Sequence, residues 1–373
     1  MIYLDEAASA PPRREVLEAM WPYMTAYFAN PASRHDPGLE AERAVEDARR
    51  RVAKNLGARP AEIVFTSGGT EADNAAVKGI AFAAPRGRHV LVSAVEHPAV
   101  LAPADWLGRM GFTVEHLPVD AEGLVSPDAL RSALREDTTL VSVQTANGEV
   151  GTVQDIATLS AVTAEYGVPF HTDAVQAAGA MPLQVGDLGV QALSLAGHKL
   201  GTPKGVGVLY VHRRTRCEPL IHGGGQQRGR RSGTENAAGA VGMAVALESA
   251  AQSDVVRWGR RRDHFIAAVQ DAVPGAQLTG HPTQRLPGHA SFQFAGRSGE
   301  SLLLDLQQRG VWCSSGSACA AGSDEPSPVL SAMGLSADEA QTAVRFTFGA
   351  DIPMDHLHRA VDALRESTAS FRN

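Results

Sequence analysis

Lysine is almost missing from this chain. Of 34 basic side chains in 373 residues, 30 are arginine and four are lysine: Lys54, Lys78, Lys199 and Lys204. Any chemistry that needs a neutral amine therefore has four candidates. Cysteine is scarcer still, with Cys217, Cys313 and Cys319 alone. An odd, sparse set makes no disulfide framework, and the expected compartment is a reducing cytoplasm. No CxxC pair and no tight His/Cys cluster occurs, so a zinc site is not expected. No segment approaches the unbroken apolar run of about 18 residues that a membrane helix needs. The first residues, MIYLDEAASAPPRREV, begin acidic and lack a basic-then-apolar order, so no secretory signal is expected. A basic excess is missing too. There are 41 acidic side chains and a formal net charge of −7, which argues against direct nucleic-acid binding as the main task.

What is present is an alternation of strand-like and helical segments, the mark of an α/β protein. Helical patterns cover 39–55 and 71–82. Apolar or alternating strand patterns cover 62–66, 89–93, 112–117, 139–143, 168–172, 192–195 and 207–211. Strands separated by helices imply a mainly parallel sheet. From about residue 254 the pattern changes to an Arg-rich helix and strands at 290–294 and 344–348. The expected organisation is a large domain at 15–253. A smaller α+β domain is built from 1–14 and 254–373, with a mobile Cys-bearing loop at about 314–326.

Four places carry chemistry. Ala196-Gly197-His198-Lys199 follows a strand, and a lysine among small residues at a strand end can stand against a cofactor ring. Lys54 and Lys78 lie on helices, so Lys199 is the best-placed amine and Lys204 the second. Asp173, in HTDAVQ, ends an apolar strand at the edge where α/β sheets bind ligands. It either pairs with a protonated ring nitrogen or caps a helix. Thr66-Ser67-Gly68-Gly69-Thr70-Glu71 joins a strand to a helix, and is either a capped turn or an anion cradle without the Walker lysine. Residues 313–323 are almost all Ser, Gly, Ala and Cys, and read as a linker or as a loop presenting a thiol.

Taken together, these motifs resemble the cysteine desulfurases, NifS-like members of the class V aminotransferase group with the fold type I architecture. The resemblance rests on YLDEAA, NPASRH at 30–35, EIVFTSGGTEADN at 62–74, EHPAV at 96–100 and NGEVGTVQDI at 147–156. It continues through HTDAVQ at 171–176, GHK at 197–199, PKGVGVLYV at 203–211, HGGGQQRGRRSGTEN at 222–236 and SSGSAC at 314–319, the last similar to group I. It implies pyridoxal 5′-phosphate carried by Lys199, with Asp173 on the ring nitrogen and Gln176 on the phenolic oxygen. His97 would stack on the ring and move protons, and Asn147 would stand near it. Gly69, Thr70 and His198 would hold the phosphate. Thr234 would reach the phosphate of a neighbouring subunit, which implies a homodimer. Asn30 and Arg345 would bind the substrate carboxylate. Cys319 would take sulfur from L-cysteine as a persulfide and pass it to an acceptor, either an iron–sulfur scaffold protein or a tRNA-thiolating enzyme. Rival readings are a selenocysteine lyase or other C–S lyase of the same fold, and a sulfur-trafficking scaffold with weakened catalysis.

Three departures from the family pattern stand out. Ala196 replaces a serine, and loss of its hydroxyl costs about 1 kcal/mol of cofactor binding unless water substitutes. Gly148 replaces the second of two asparagines. The start reads LDEAASAP, with Glu6 and Ser9, where an aromatic, threonine-rich run is usual.

Overall fold

In the computed structural model, residues 1–83, 86–315 and 325–370 are described. The strands, in chain order, are β1 (Ile2–Tyr3), β2 (Ile63–Thr66), β3 (His89–Ser93), β4 (Thr113–Leu117), β5 (Thr138–Ser142), β6 (Phe170–Asp173) and β7 (Ala192–Ala196). There follow β8 (Gly207–Val211), β9 (Ala276–Leu278), β10 (His289–Phe294), β11 (Val311–Trp312), β12 (Ser314–Ser315) and β13 (Ala343–Thr347). The larger sheet has the order β2-β8-β7-β6-β5-β3-β4. Its strands run parallel except β8, which is antiparallel to both neighbours. Every residue of β3, β5, β6 and β7 is buried, as the continuous apolar runs require of a sheet covered on both faces.

Helices supply that cover. Asp36–Leu56 starts at His35, whose ring accepts from Gly38 N at 3.2 Å, and stops at Gly57 in the left-handed region (φ 64°). Its apolar face carries Ala41, Val45, Ala48, Val52 and Leu56 into the main core. The same face holds Arg49, 1% exposed, which donates to Ile63 O at 2.8 Å and Gln227 Oε1 at 2.7 Å. Those bonds make a buried guanidinium tolerable and tie the 225–236 stretch to the sheet. Helix Ala237–Ala250 packs against both Arg14–Thr25 and Asp36–Leu56, and is buried on most of its circumference.

A second core gathers Ile2, Leu4, Phe265, Phe292, Phe346 and Leu364 around the antiparallel sheet β12-β13-β10-β9. The N-terminal segment crosses between the two cores. It pairs β1 with β11, bridges Asp5 to Thr347, and then runs along 197–201, where Ala10 N meets His198 O and Arg13 N meets Gly201 O. No helix among the described residues is long and apolar enough to cross a membrane.

Candidate active site

Parallel strands deliver their C-terminal ends to one edge of the sheet. β6 ends in Asp173, β7 runs into Gly197-His198-Lys199, β2 runs into Ser67-Gly68-Gly69-Thr70, and the turn after β3 carries His97. Side chains distant in sequence therefore meet where α/β sheets bind ligands. Glycine is needed because backbones converge. A Cβ on Gly207 would stand 2.5 Å from the carbonyl carbon of Gly68, and one on Gly69 would meet Val175 Cγ2 at 2.8 Å.

Lys199 sits in the 3₁₀ turn Gly197–Lys199. Its amine donates to Ala7 O, and to Ala8 O at 3.0 Å, both on the crossing N-terminal segment. Gln176 Nε2 donates to the same Ala7 O at 3.0 Å, so amine and amide share one carbonyl anchor. Asp173 is 7% exposed and accepts from Val175 N at 2.8 Å. Burial pushes its carboxyl above the ordinary range; that amide, then His97 and Lys199, pull it back. His97 caps helix Pro98–Arg109, its Nδ1 accepting from Ala99 N at 3.1 Å. That bond assigns the proton of the neutral ring to Nε2. Burial, then Lys199, hold His97 below its usual pKa, while Asp173 opposes them. His198 Nδ1 lies 3.3 Å from Ser9 Oγ, and burial with Lys199 and Lys204 lowers this ring to about 4. It is a neutral imidazole at pH 7.

Helix Gly69–Ala83 opens beside these groups, so its first N–H groups and the Thr70 hydroxyl can receive an anion. Glu71 in its first turn is neutralised by Arg231, whose Nε stands 2.8 Å away. A cavity of about 70 Å³ next to Lys199 is lined by Glu6, Ala7, Val175, Gln176, His289 and further residues.

The other expected site residues are placed less directly. Arg345, on β13, is 4% exposed, with Nη2 2.9 Å from Asp5 Oδ1 and Nη1 donating to Gly148 O at 2.9 Å. Asn147 spends its amide on a turn: Oδ1 accepts from Glu149 N and Val150 N, and Nδ2 donates to Val95 O at 3.1 Å. A Cβ on Gly148 would stand 2.8 Å from Gln176 Nε2, so Gln176 holds the space that a side chain at 148 would enter. Asn30 and Thr234 are exposed and do not line the cavity beside Lys199. Asn30 Oδ1 accepts from Ala32 N at 2.9 Å, before helix Asp36–Leu56. Cys319 lies outside the described residues.

Sequence reasoning missed the layer beneath. Asp73 is 1% exposed and Glu96 2% exposed. Burial, then the charge of Asp173, drives Asp73 well above the carboxylate range, and burial does the same to Glu96. His171 bonds Ser142 Oγ at 2.8 Å and Ser194 Oγ at 2.9 Å, and burial lowers it to about 3. Asp173 differs from these groups in having His97 and Lys199 beside it, which oppose the effect of its burial. TEADN reads as an ordinary helix start, and only the packing of that helix on the sheet reveals Asp73 as buried.

The family model described as aminotransferase class-V matches residues 2–359. Cysteine desulfurase IscS of Dictyoglomus turgidum is 46% identical over 375 residues, covering 100% of this chain and 95% of that protein. A solved structure described as a NifS-like protein superposes with a TM-score of 0.92 at 33% identity, covering 99% of both chains. Another, described as SspA in complex with cysteine, gives 0.84 at 36% identity, covering 94% of this chain and 99% of that one.

Proposed function

The chain belongs to the aminotransferase class-V family, and on that footing we propose that it is a cysteine desulfurase using pyridoxal 5′-phosphate. It takes sulfur from L-cysteine, releases L-alanine and leaves the sulfur on Cys319. The observation that carries this reading is the meeting of the Lys199 amine, buried Asp173 and His97 at one sheet edge.

The donor set fits the cofactor. Asp173 offers a buried carboxylate for a protonated ring nitrogen. The helix N-terminus at Gly69 and Thr70, with neutral His198, offers donors for a phosphate. Packing demands glycine at 69, since a Cβ there would stand 2.8 Å from Val175 Cγ2, which keeps the start of this helix close to the strand end that carries Lys199. When bound, the cofactor supplies an electron sink that loosens bonds at the substrate's α-carbon.

This chain's own residues do the rest. Lys199, freed by the incoming amino acid, takes the α-proton on Nζ. Gln176 and Lys199 are aligned through Ala7 O. His97 carries its proton on Nε2 because Nδ1 accepts from Ala99 N, and that N–H is the group it would use to move protons. Arg345, held by Asp5 and Gly148 O, is the cation for the substrate carboxylate. The Cys319 thiolate attacks the sulfur of L-cysteine. A sulfur–sulfur bond forms, the substrate's Cβ–S bond breaks, and its electron pair stays on carbon, leaving as L-alanine after protonation. One enzyme thiol and one cysteine thus give one persulfide and one alanine. An acceptor protein, an iron–sulfur scaffold or a tRNA-thiolating enzyme, then receives the sulfur.

The test is incubation of the holoenzyme with L-cysteine. Alanine should appear, and mass spectrometry should find one added sulfur on the peptide containing Cys319. Pyruvate and free sulfide without that adduct would replace this reading by a direct C–S lyase.

A homodimer completes the site in this reading. Leu17, Trp21, Met24 and Phe28 recur at helical spacing on and just after helix Arg14–Thr25, with Trp21 63% and Phe28 79% exposed. That face suits a second copy, which would also bring its own Thr234 to this site. Sedimentation should show a dimer that Trp21→Glu with Phe28→Glu splits; a wild-type monomer would remove Thr234 from the site. The sparse cysteines, with Cys217 and Cys313 both free thiols, support a reducing compartment, the cytoplasm.

A further inference from the structure

Two pieces of chain meet at Glu149 and Ser327. The Ser327 hydroxyl donates to Glu149 Oε2 at 2.5 Å, and Ser327 is 4% exposed. Burial pushes the Glu149 carboxyl up to about 7, with the Ser327 hydrogen bond and the Arg345 charge opposing. On one side, Glu149 follows Gly148, whose carbonyl receives Arg345 Nη1 at 2.9 Å and His289 Nε2 at 3.0 Å. On the other side, Ser327 caps helix Pro328–Ala332, accepting from Leu330 N at 3.2 Å. That helix sets Val329 and Leu330, with Met333 behind them, against Val95 and Val150. Val95 lies two residues before His97, and Val150 follows Glu149 directly.

Apolar contact holds such a helix without fixing its angle or depth, because burial is non-directional. A charge-assisted or carboxyl–hydroxyl bond at the helix's first residue does fix them. Arg345 does not depend on this bond, since Asp5 and Gly148 O hold it already. The end that depends on Glu149 is the one leading back, in sequence, to Cys319.

We propose that Glu149 is a positioning residue for sulfur transfer: through Ser327 it sets helix Pro328–Ala332 against the turns that carry His97 and Gly148. It touches no reacting atom and acts through Ser327. The inference rests on the desulfurase reading above, and its effect belongs in turnover rather than in substrate binding.

The test is a double-mutant cycle on the holoenzyme. Glu149→Ala and Ser327→Ala should each lower kcat for alanine formation roughly five- to tenfold, the worth of about one hydrogen bond. KM for L-cysteine should stay within about twofold, by the same reasoning. The double variant should be no worse than the worse single one. Glu149→Gln keeps an acceptor oxygen for Ser327 and should retain most of the rate. Amide exchange at 328–332 should quicken in both alanine variants and not in Glu149→Gln. Additive losses, or a raised KM with unchanged kcat, would overturn the proposal. Unchanged exchange in Glu149→Ala, beside an active wild type, would overturn it alone. An inactive wild type would instead sink the desulfurase reading, while exchange still judges the tether.

Discussion

Lys199→Ala should lower alanine formation from L-cysteine by about 10⁴-fold, the upper range for losing a proton-transfer group. It should also remove the borohydride-stable attachment of the cofactor. The four lysines separate cleanly by environment. Lys204 is exposed beside Gly205, and Lys78 Nζ sits over the Trp106 ring, 4.7 Å from its centroid. Burial, then Arg109, lowers Lys78 below its ordinary pKa. Yet Lys78 has no carboxylate comparable to Asp173 among the charges that shift it, whereas Lys199 acts on both Asp173 and His97. Peptide mapping after reduction should find the pyridoxyl group on the peptide containing Lys199. A label on Lys78 or Lys204 would overturn the assignment.

Cys319→Ala should abolish sulfur release, by roughly 10³-fold or more, while the visible absorption of the bound cofactor persists. The family resemblance assigns the sulfur to Cys319, and the other two thiols sit where burial disfavours a thiolate. Burial pushes Cys217 up to about 11, so near pH 7 only about one molecule in 10⁴ carries a thiolate there. Burial drives Cys313 higher still, against the pull of Arg345. Both environments disfavour the thiolate at neutral pH. Cys217→Ala and Cys313→Ala should therefore keep turnover, apart from any loss of packing. Undiminished alanine formation in Cys319→Ala would take this residue out of the reaction.

The sequence showed the sheet well and several helices poorly, for reasons visible in particular residues. Strands β3, β5 and β7 are buried on both faces and read as short unbroken apolar runs. Their bounds shift by a residue or so, as with β6, which takes in Asp173 rather than stopping before it. Helix Ala237–Ala250 escaped notice because it has almost no solvated face to create a helical period. Arg14–Thr25 and Pro98–Arg109 each carry an internal proline, Pro22 and Pro103, which in sequence reads as a break. At the site, Lys199 and Asp173 were singled out because their motifs follow strand ends, whereas His97, Gln176 and His198 came only from the family resemblance. The carbonyls of Ala7 and Ala8 were not legible, since a main-chain acceptor leaves no mark in residue type. Asn147 also braces the Glu149–Val150 turn, a role set by backbone N–H groups that sequence does not display.

The N-terminal segment has a mechanical consequence. The same dozen or so residues hydrogen-bond to β11 and β13 beside the second core and to Lys199, His198 and Gly201 beside the first. Any displacement of the antiparallel sheet β12-β13-β10-β9 against the larger sheet would pull on this strap. Because the strap grips Nζ by carbonyl oxygens, no substitution at Ala7 or Ala8 can delete the grip without redirecting the backbone. The Lys199 amine is thus tied to a segment that also joins β11 and β13, so a change in how that segment seats on either strand reaches Nζ through the main chain.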